Sequence, residues 1–276
     1  MRSVRRMRPI MGCYVEVSAT GARAELGVQK VFDVLQWAQQ RWSFQDPDSE
    51  LARLNRRPGH ALTVHRHTIR LLSLARALML RSNALFDCTV GGALVHAGHL
   101  PNHTPSLPMP RGRAQDIVLG ADYAYWRRPI QVTLDGIAKG FALDLAGRAV
   151  RHLGLASISI NAGGDLRVWG VHAVPVYRRE LDATLTPLGA LREAALASSG
   201  VYPTNDALSD KGNFPAHLVA QPGCSAAPGV WSVLARSAWR ADALTKVAAN
   251  APTGQAAARV RELGGHLLEN TQLLSG

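Results

Sequence analysis

A chain of 276 residues can bury a substantial core, and a hydrophobic share of 47% excludes a disordered polymer. No apolar run approaches the ~18 residues a membrane helix needs, so no membrane insertion is expected. The net charge of +11 is carried almost entirely by arginine, with lysine only at Lys30, Lys139, Lys211 and Lys246.

That charge is spread along the sequence and is not gathered into one stripe. The plain reading is a compositional bias with arginines on solvated faces; a basic surface can also serve a polyphosphate ligand or an acidic partner, and a basic nucleic-acid-binding protein is the less favoured alternative. The basic stretch Met1 to Met11 is followed by no apolar signal region, and the expected location is the cytoplasm. Cys13, Cys88 and Cys224 are scattered and odd in number, which fits neither a disulfide framework nor zinc spacing.

In chain order, Met11 to Ser18 alternates like a strand, and Ala22 to Arg41 has helical spacing. Thr63 opens a further segment, and His67 to Ala84 predicts an apolar helix. Pro101 to Arg113 holds four prolines and reads as a loop. Ile117 to Leu119 and Ile130 to Leu134 predict strands around a turn. A helix entered through a glycine follows over Gly136 to Leu153. Ser157 to Asn161 predicts a strand ending at Gly163-Gly164, Ser232 to Ala235 another, and Arg240 to Leu263 one long helix. Without a regular βαβ rhythm, the fold class is α+β with antiparallel sheet, in a single domain over residues 1–276. No G-x-G-x-x-G and no Walker A sequence is present, so any nucleotide site is built another way.

Three segments carry chemistry. In Val132 to Asp144 a strand runs through Asp135-Gly136 into a helix. Free N–H groups at that helix start, with Lys139 in its first turn, suit a phosphate, and an ordinary turn with a solvent lysine would read the same. Asn161-Ala162-Gly163-Gly164-Asp165 ends a strand in two glycines and an acid. Asp165 there either holds a ligand hydroxyl or braces the turn. Asp242 and Thr245 open the last helix at i and i+3, on one face, and could offer oxygens to Mg²⁺; an acid favouring the helix dipole is the plain alternative. Ser43 to Asn55, with Phe44-Gln45, reads as a proline turn followed by a capped short helix, and Leu85-Phe86-Asp87-Cys88-Thr89-Val90-Gly91-Gly92 puts an acid and a hydroxyl before a glycine pair; ordinary turn chemistry is the plain alternative for both. His96, His99 and His103 lack a supporting carboxylate or thiolate pattern and predict no metal cluster.

The order of these segments is more telling than any one of them. Met11-Gly12, S-x-x-D-P-D-S-E-L-A-R-L-N, F-D-x-T-V-G, D-G-I-A-K-G-F-A-x-D, N-A-G-G-D, Ser198-Ser199-Gly200, His217 and A-D-A-L-T-K follow one another in a succession that resembles the ApbE family. That family comprises the FAD:protein FMN transferases, and the resemblance runs from about residue 7 to 265. It implies a T-fold-like α+β enzyme that binds FAD and Mg²⁺, releases AMP and leaves FMN on a threonine or serine of a target protein. It further implies flavin contacts from Met11, Phe44, Phe86, Asp87, Lys139 and Val219, a metal held by Gly136, Asp242 and Thr245, and His217 acting at the attacking hydroxyl. A flavin-binding protein, or an FAD pyrophosphatase that does not modify protein, is the alternative.

The chain departs from the family pattern at several points. The position four residues after Asp242, often threonine in the family, is Lys246, and the hydroxyl stands one residue earlier at Thr245. Adjacent helical residues are rotated by about 100°, so Thr245 and Lys246 do not point at one spot. Thr245 is the expected ligand, with charge substitution by Lys246 as the second possibility. Thr133 and Asp135 replace the usual acid and first glycine before I-A-K-G. Gln45 stands where the family has tyrosine, and the residues after His217 have drifted.

Overall fold

The computed structural model describes residues 2–201 and 228–268; His217, Val219 and Cys224 lie outside the described residues. The chain begins with strands β1 (Ser3–Ile10) and β2 (Cys13–Thr20) and helix α1 (Ala24–Trp42). Helix α2 (Glu50–Arg56), the short β3 (Leu62–Thr63), α3 (Arg66–Arg81) and α4 (Gly91–His96) follow. Next come β4 (Ile117–Leu119), β5 (Tyr123–Trp126), α5 (Ala138–Val150), β6 (Ser157–Ala162) and β7 (Asp165–Gly170). The strands β8 (Val174–Arg179), β9 (Leu185–Leu191), β10 (Ala195–Val201) and β11 (Gly229–Ala235) lead to α6 (Ala238–Asn250), α7 (Ala256–Glu262) and β12 (Gly265–Leu268). These elements group into two compact units, Met1–Trp37 with Lys139–Gly276, and Ala38–Ala138. Paired strands are antiparallel throughout both, so the fold class is α+β with antiparallel sheets, as expected.

The first unit is built on a sheet in the order β1-β2-β6-β7-β10-β11-β12. Side chains of paired antiparallel residues lie on the same side of a sheet, so the register sorts them. Val15 pairs with Ala162 and Ala162 with Asp165; Val17 pairs with Ile160, Ile160 with Arg167, and Arg167 with Ala195. By alternation Ser199 shares this face. Helices α5 and α6 lie against it, as the ion pairs and hydrogen bonds described below demonstrate. The other face carries Leu166, Val168 and Leu196, which pack with Val176, Leu188 and Leu191 of the β8–β9 ribbon in a buried cluster.

Two contacts lock α5 to α6. Gly140 approaches the Ala238 carbonyl so closely that a Cβ there would overlap it. One turn on, the Asp144 carboxylate accepts from the backbone N–H groups of Ala238 and Trp239, both at 3.1 Å. Ser237 makes no side-chain cap, so an acid from the neighbouring helix satisfies the first donors of α6. Asp144 also meets Arg167 of β7 at 3.4 Å.

The second unit holds the sheet β3-β5-β4. At its centre Asn55, fully buried at the end of α2, donates to the Val132 carbonyl (2.9 Å) and accepts from Val132 N–H and Trp126 Nε1–H (2.9 Å each). Ser49 caps α2 by accepting from Ala52 N–H at 3.0 Å.

Several elements differ from the sequence expectation. Ile130 to Leu134 is an extended segment whose only strand-type pairing among the described residues is the bridge of Ile130 to Met109, because Val132 gives its hydrogen bonds to a side chain, Asn55. Arg240 to Leu263 is two helices: the first begins earlier, at Ala238, so that Asp242 and Thr245 lie inside it and do not open it, and it is broken at Ala251-Pro252. Proline lacks the N–H that would continue the helix, and it pushes the preceding Ala251 to an extended ψ of 146°. The edge strand β1 was hidden by its arginines, which sit on exposed positions.

Candidate functional site

The helix face of the first unit gathers charge at the start of α5 and along the facing side of α6. Asp165 opens β7, directly after the Gly163-Gly164 turn, whose residues adopt φ of 63° and 101° and let the chain reverse in two residues. Its carboxylate is almost fully buried, and Lys139 Nζ of the first turn of α5 stands 3.2 Å from Oδ2. Burial, and the negative charge of Asp242 nearby, push the Asp165 carboxyl up to about 6, against the opposing pull of Lys139. The neighbouring carboxylates, Asp165 foremost, hold the Lys139 ammonium well above its ordinary value, so it is fully charged. Cys13, just after the β1–β2 turn, lies in the field of both groups, and burial raises its thiol.

The second ion pair belongs to α6. Asp242 is fully buried; its Oδ1 accepts from Lys246 Nζ at 2.6 Å and its Oδ2 from Gly140 N–H at 3.2 Å. Lys246 Nζ also donates to the Asp242 carbonyl and to Ser199 Oγ, at 3.2 Å each. Thr245 Oγ1 donates to the Asp242 carbonyl and is bonded to Ser199 Oγ, both at 2.7 Å. Two ammonium groups and two carboxylates are thus interleaved across α5, β7, β10 and α6. A net-neutral but highly polar cluster of this kind can orient and stabilise an anionic ligand through the exposed side of Lys139, whose side chain is 30% accessible.

The other predicted site residues are placed as follows. Met11 forms the β1–β2 turn with Gly12, in the left-handed region at φ 56°. Gly136 lies in the turn before α5, two residues ahead of it, in the second unit. Phe44 is buried, its ring 4.9 Å from that of His103, while His103 Nε2 lies 2.6 Å from the Phe44 carbonyl. Phe86 is buried as well, whereas Gln45 is exposed. Asp87 accepts from Thr89 N–H (2.7 Å) and Thr89 Oγ1 (2.6 Å), and Thr89 Oγ1 accepts from Gly112 N–H (2.9 Å). Burial raises the Asp87 carboxyl despite these bonds and the Arg111 guanidinium 3.7 Å away. His96 Nε2 lies 2.8 Å from the Pro108 carbonyl. The structure thus joins Lys139, Asp242 and Thr245 in one cluster, and adds Asp165, Ser199 and Lys246 as members. Ser199 was visible in sequence only as part of Ser198-Ser199-Gly200; the alternation of β10 is what points it at α6.

The residues present do not suit the divalent metal that the resemblance implies at Asp242 and Thr245. Both Asp242 carboxylate oxygens are already bonded, and an ammonium lies against the oxygens such an ion would need. No group of three or more His, Cys, Asp or Glu able to hold a metal occurs among the described residues.

An α+β chain with a buried cluster of two acid–lysine pairs is of a class suited to holding an anion, and comparison with known proteins narrows it. The sequence pattern of the ApbE family matches residues 11–267, and the chain belongs to that family. A protein described as FAD:protein FMN transferase from Rhodobacter capsulatus is 30% identical over 131 residues, 44% of this chain; the match spans only a quarter (25%) of that relative's own length. Among solved structures, the ApbE protein of Thermotoga maritima is similar with a TM-score of 0.81 at 20% identity, over 97% of this chain and 94% of that one. The flavin transferase ApbE of Vibrio cholerae gives 0.78 at 18% identity, over 97% and 96%. The apo form of the Pseudomonas stutzeri flavinyl transferase ApbE gives 0.75 at 18%, over 97% and 94%. At these identities the likeness is one of fold.

Proposed function

We propose that this chain is an FAD:protein FMN transferase that moves FMN from FAD onto a threonine or serine hydroxyl of a target protein. The observation that carries the reading is the Lys139–Asp165 pair at the start of α5 beside the Lys246–Asp242 pair of α6, in a chain whose family match spans both units. A flavin dinucleotide offers a pyrophosphate, and a fixed ammonium is the group that neutralises its charge as a phosphoanhydride bond breaks. In the proposed reaction the acceptor oxygen attacks the phosphorus of the FMN half. The bond to the bridging oxygen breaks, AMP leaves with that oxygen, and the hydroxyl proton passes to a base.

The residue assignments rest on the family resemblance. His217 is the proposed base, since imidazole accepts a proton near neutral pH. Met11, Phe44, Phe86, Asp87 and Val219 are proposed flavin contacts, and Lys139 the pyrophosphate contact. Gly136, Asp242 and Thr245 correspond to the family's metal site. Lys246 Nζ and Gly140 N–H hold the two Asp242 carboxylate oxygens, so in this reading the pyrophosphate charge is met by Lys139.

The test is incubation of the protein with FAD and an extract of the cells that encode it, followed by denaturing electrophoresis. A flavin-fluorescent band that survives denaturation, and that is lost on Lys139→Met, supports transfer. Free FMN and AMP without such a band would instead indicate an FAD pyrophosphatase.

A further inference from the structure

Helix α6 contains a cation of its own. Lys246 Nζ sits among three oxygens of different kinds: a carboxylate oxygen (Asp242 Oδ1, 2.6 Å), a main-chain carbonyl (Asp242 O, 3.2 Å) and a hydroxyl (Ser199 Oγ, 3.2 Å). Carboxylate, carbonyl and hydroxyl oxygens together are the donor set of a hard divalent ion, and an ammonium carries three N–H groups, one for each. The fit extends to the surroundings. Asp242 is fully buried and its second oxygen is bound to Gly140 N–H, so it has no carboxylate oxygen to spare for a metal. Thr245 Oγ1, one residue before the lysine, closes the group by bonding Ser199 and the Asp242 carbonyl. The Lys246 side chain is only 14% exposed and is therefore held by the fold, not folded in from solvent.

We infer that Lys246 is a resident cation that takes the place of a divalent metal at this position, so that the chain presents positive charge here without binding a metal. The inference deepens the proposed flavin-dinucleotide reading and rests on it for the ligand alone; the exclusion of metal stands on the geometry. A divalent ion entering the three-oxygen set would have to displace the ammonium from its carboxylate and then lie against a like charge, a costly exchange in a buried place. The consequence for the ligand is that the dinucleotide binds equally well with and without free divalent ions. Lys139 supplies the second positive charge from α5.

The experiment is a titration of the flavin-free protein with Mn²⁺, read by electron paramagnetic resonance. Wild type is expected to take up no Mn²⁺ that depends on Asp242. One equivalent that Asp242→Asn abolishes would overturn the inference. Lys246→Thr, which removes the ammonium and supplies a hydroxyl, is expected to gain one equivalent, lost again when Asp242→Asn is added. Should that variant fold poorly, Lys246→Ala opens the same space to an ion and its water. A folded variant of either kind that still takes up no Mn²⁺ would show that Lys246 is not what excludes the metal, and would also overturn it. In parallel, quenching of flavin fluorescence gives the FAD affinity in EDTA and in Mg²⁺. The expected result is one value in both for wild type, and tighter binding in Mg²⁺ for Lys246→Thr. Wild type that binds no FAD at all would refute the flavin reading, while the Mn²⁺ results would still decide the inference.

Discussion

At the scale of single residues, the cluster is governed by burial without full charge isolation. Asp165 is the informative member because its carboxyl is raised to about 6 by burial and by Asp242. A carboxyl whose value in the fold exceeds its unfolded value is one whose protonated form folding favours. Its stabilising share is fully present below the ordinary carboxylate value and is lost as pH rises through about 6. Asp165→Asn keeps the shape and removes the titration. Its melting temperature relative to wild type should therefore climb as pH is raised from about 4 to 6, then level off. A constant difference across that window, measured by thermal unfolding, would show that Asp165 titrates normally. Lys139→Met leaves both carboxylates without their shared ammonium and removes the proposed phosphate contact. Loss of one charged hydrogen bond corresponds to about tenfold to a hundredfold in FAD affinity. Isothermal titration checks it, and unchanged affinity would place the dinucleotide elsewhere. Of this cluster, Lys139 is legible in sequence at the start of α5, and Asp242 and Thr245 by their i, i+3 spacing on one helix face, although α6 begins earlier, at Ala238, and carries them inside the helix. Asp165 is marked in sequence by the glycine pair before it, but its pairing with Lys139, and the placement of Ser199 by the alternation of β10, join residues far apart in the chain, which no local pattern announces.

At the scale of elements, two contacts carry much of the architecture. Asn55 supplies three hydrogen bonds to fully buried groups, so Asn55→Ala would strand the Trp126 indole N–H and both main-chain groups of Val132. At roughly 1 kcal/mol or more for each orphaned group, the expected loss is about 3 kcal/mol, read from urea denaturation. A loss below about 1 kcal/mol would mean that water reaches these groups. Gly140→Ala should cost about 1–3 kcal/mol by driving a methyl into the Ala238 carbonyl. It should also weaken FAD binding, because the same shift pulls Gly140 N–H from Asp242. The long helices α1, α3 and α5 were readable from apolar periodicity, and β6 from its glycine pair. Strand β1 was not, because an edge strand rich in exposed arginine has no apolar alternation. The strands β8 to β10 were missed because Pro, Gly and Ser dilute their pattern, and their burial comes from packing on one another. The break between α6 and α7 was available at Pro252 but was outweighed by the alanine-rich run around it.

At the scale of the molecule, the family pattern spans both compact units, and the long-range order of motifs identified it where each motif alone was ambiguous. The reaction proposed for the chain makes a demand that no isolated residue does. FAD must bind more tightly than FMN, because only the dinucleotide carries the second phosphate that completes a pyrophosphate at the Lys139 ammonium. Parallel titrations with the two flavins check this, and equal affinities would place the flavin away from the Lys139 cluster. The most direct measurement of the central claim is the stoichiometry of turnover. Purified protein is given FAD and an acceptor protein, and AMP, free FMN and protein-bound FMN are quantified together by mass spectrometry. The account predicts AMP and protein-bound FMN in equal amounts, with the flavin on a threonine or serine. AMP matched by free FMN, or FAD left intact in the presence of an acceptor modified by another member of the family, would contradict it.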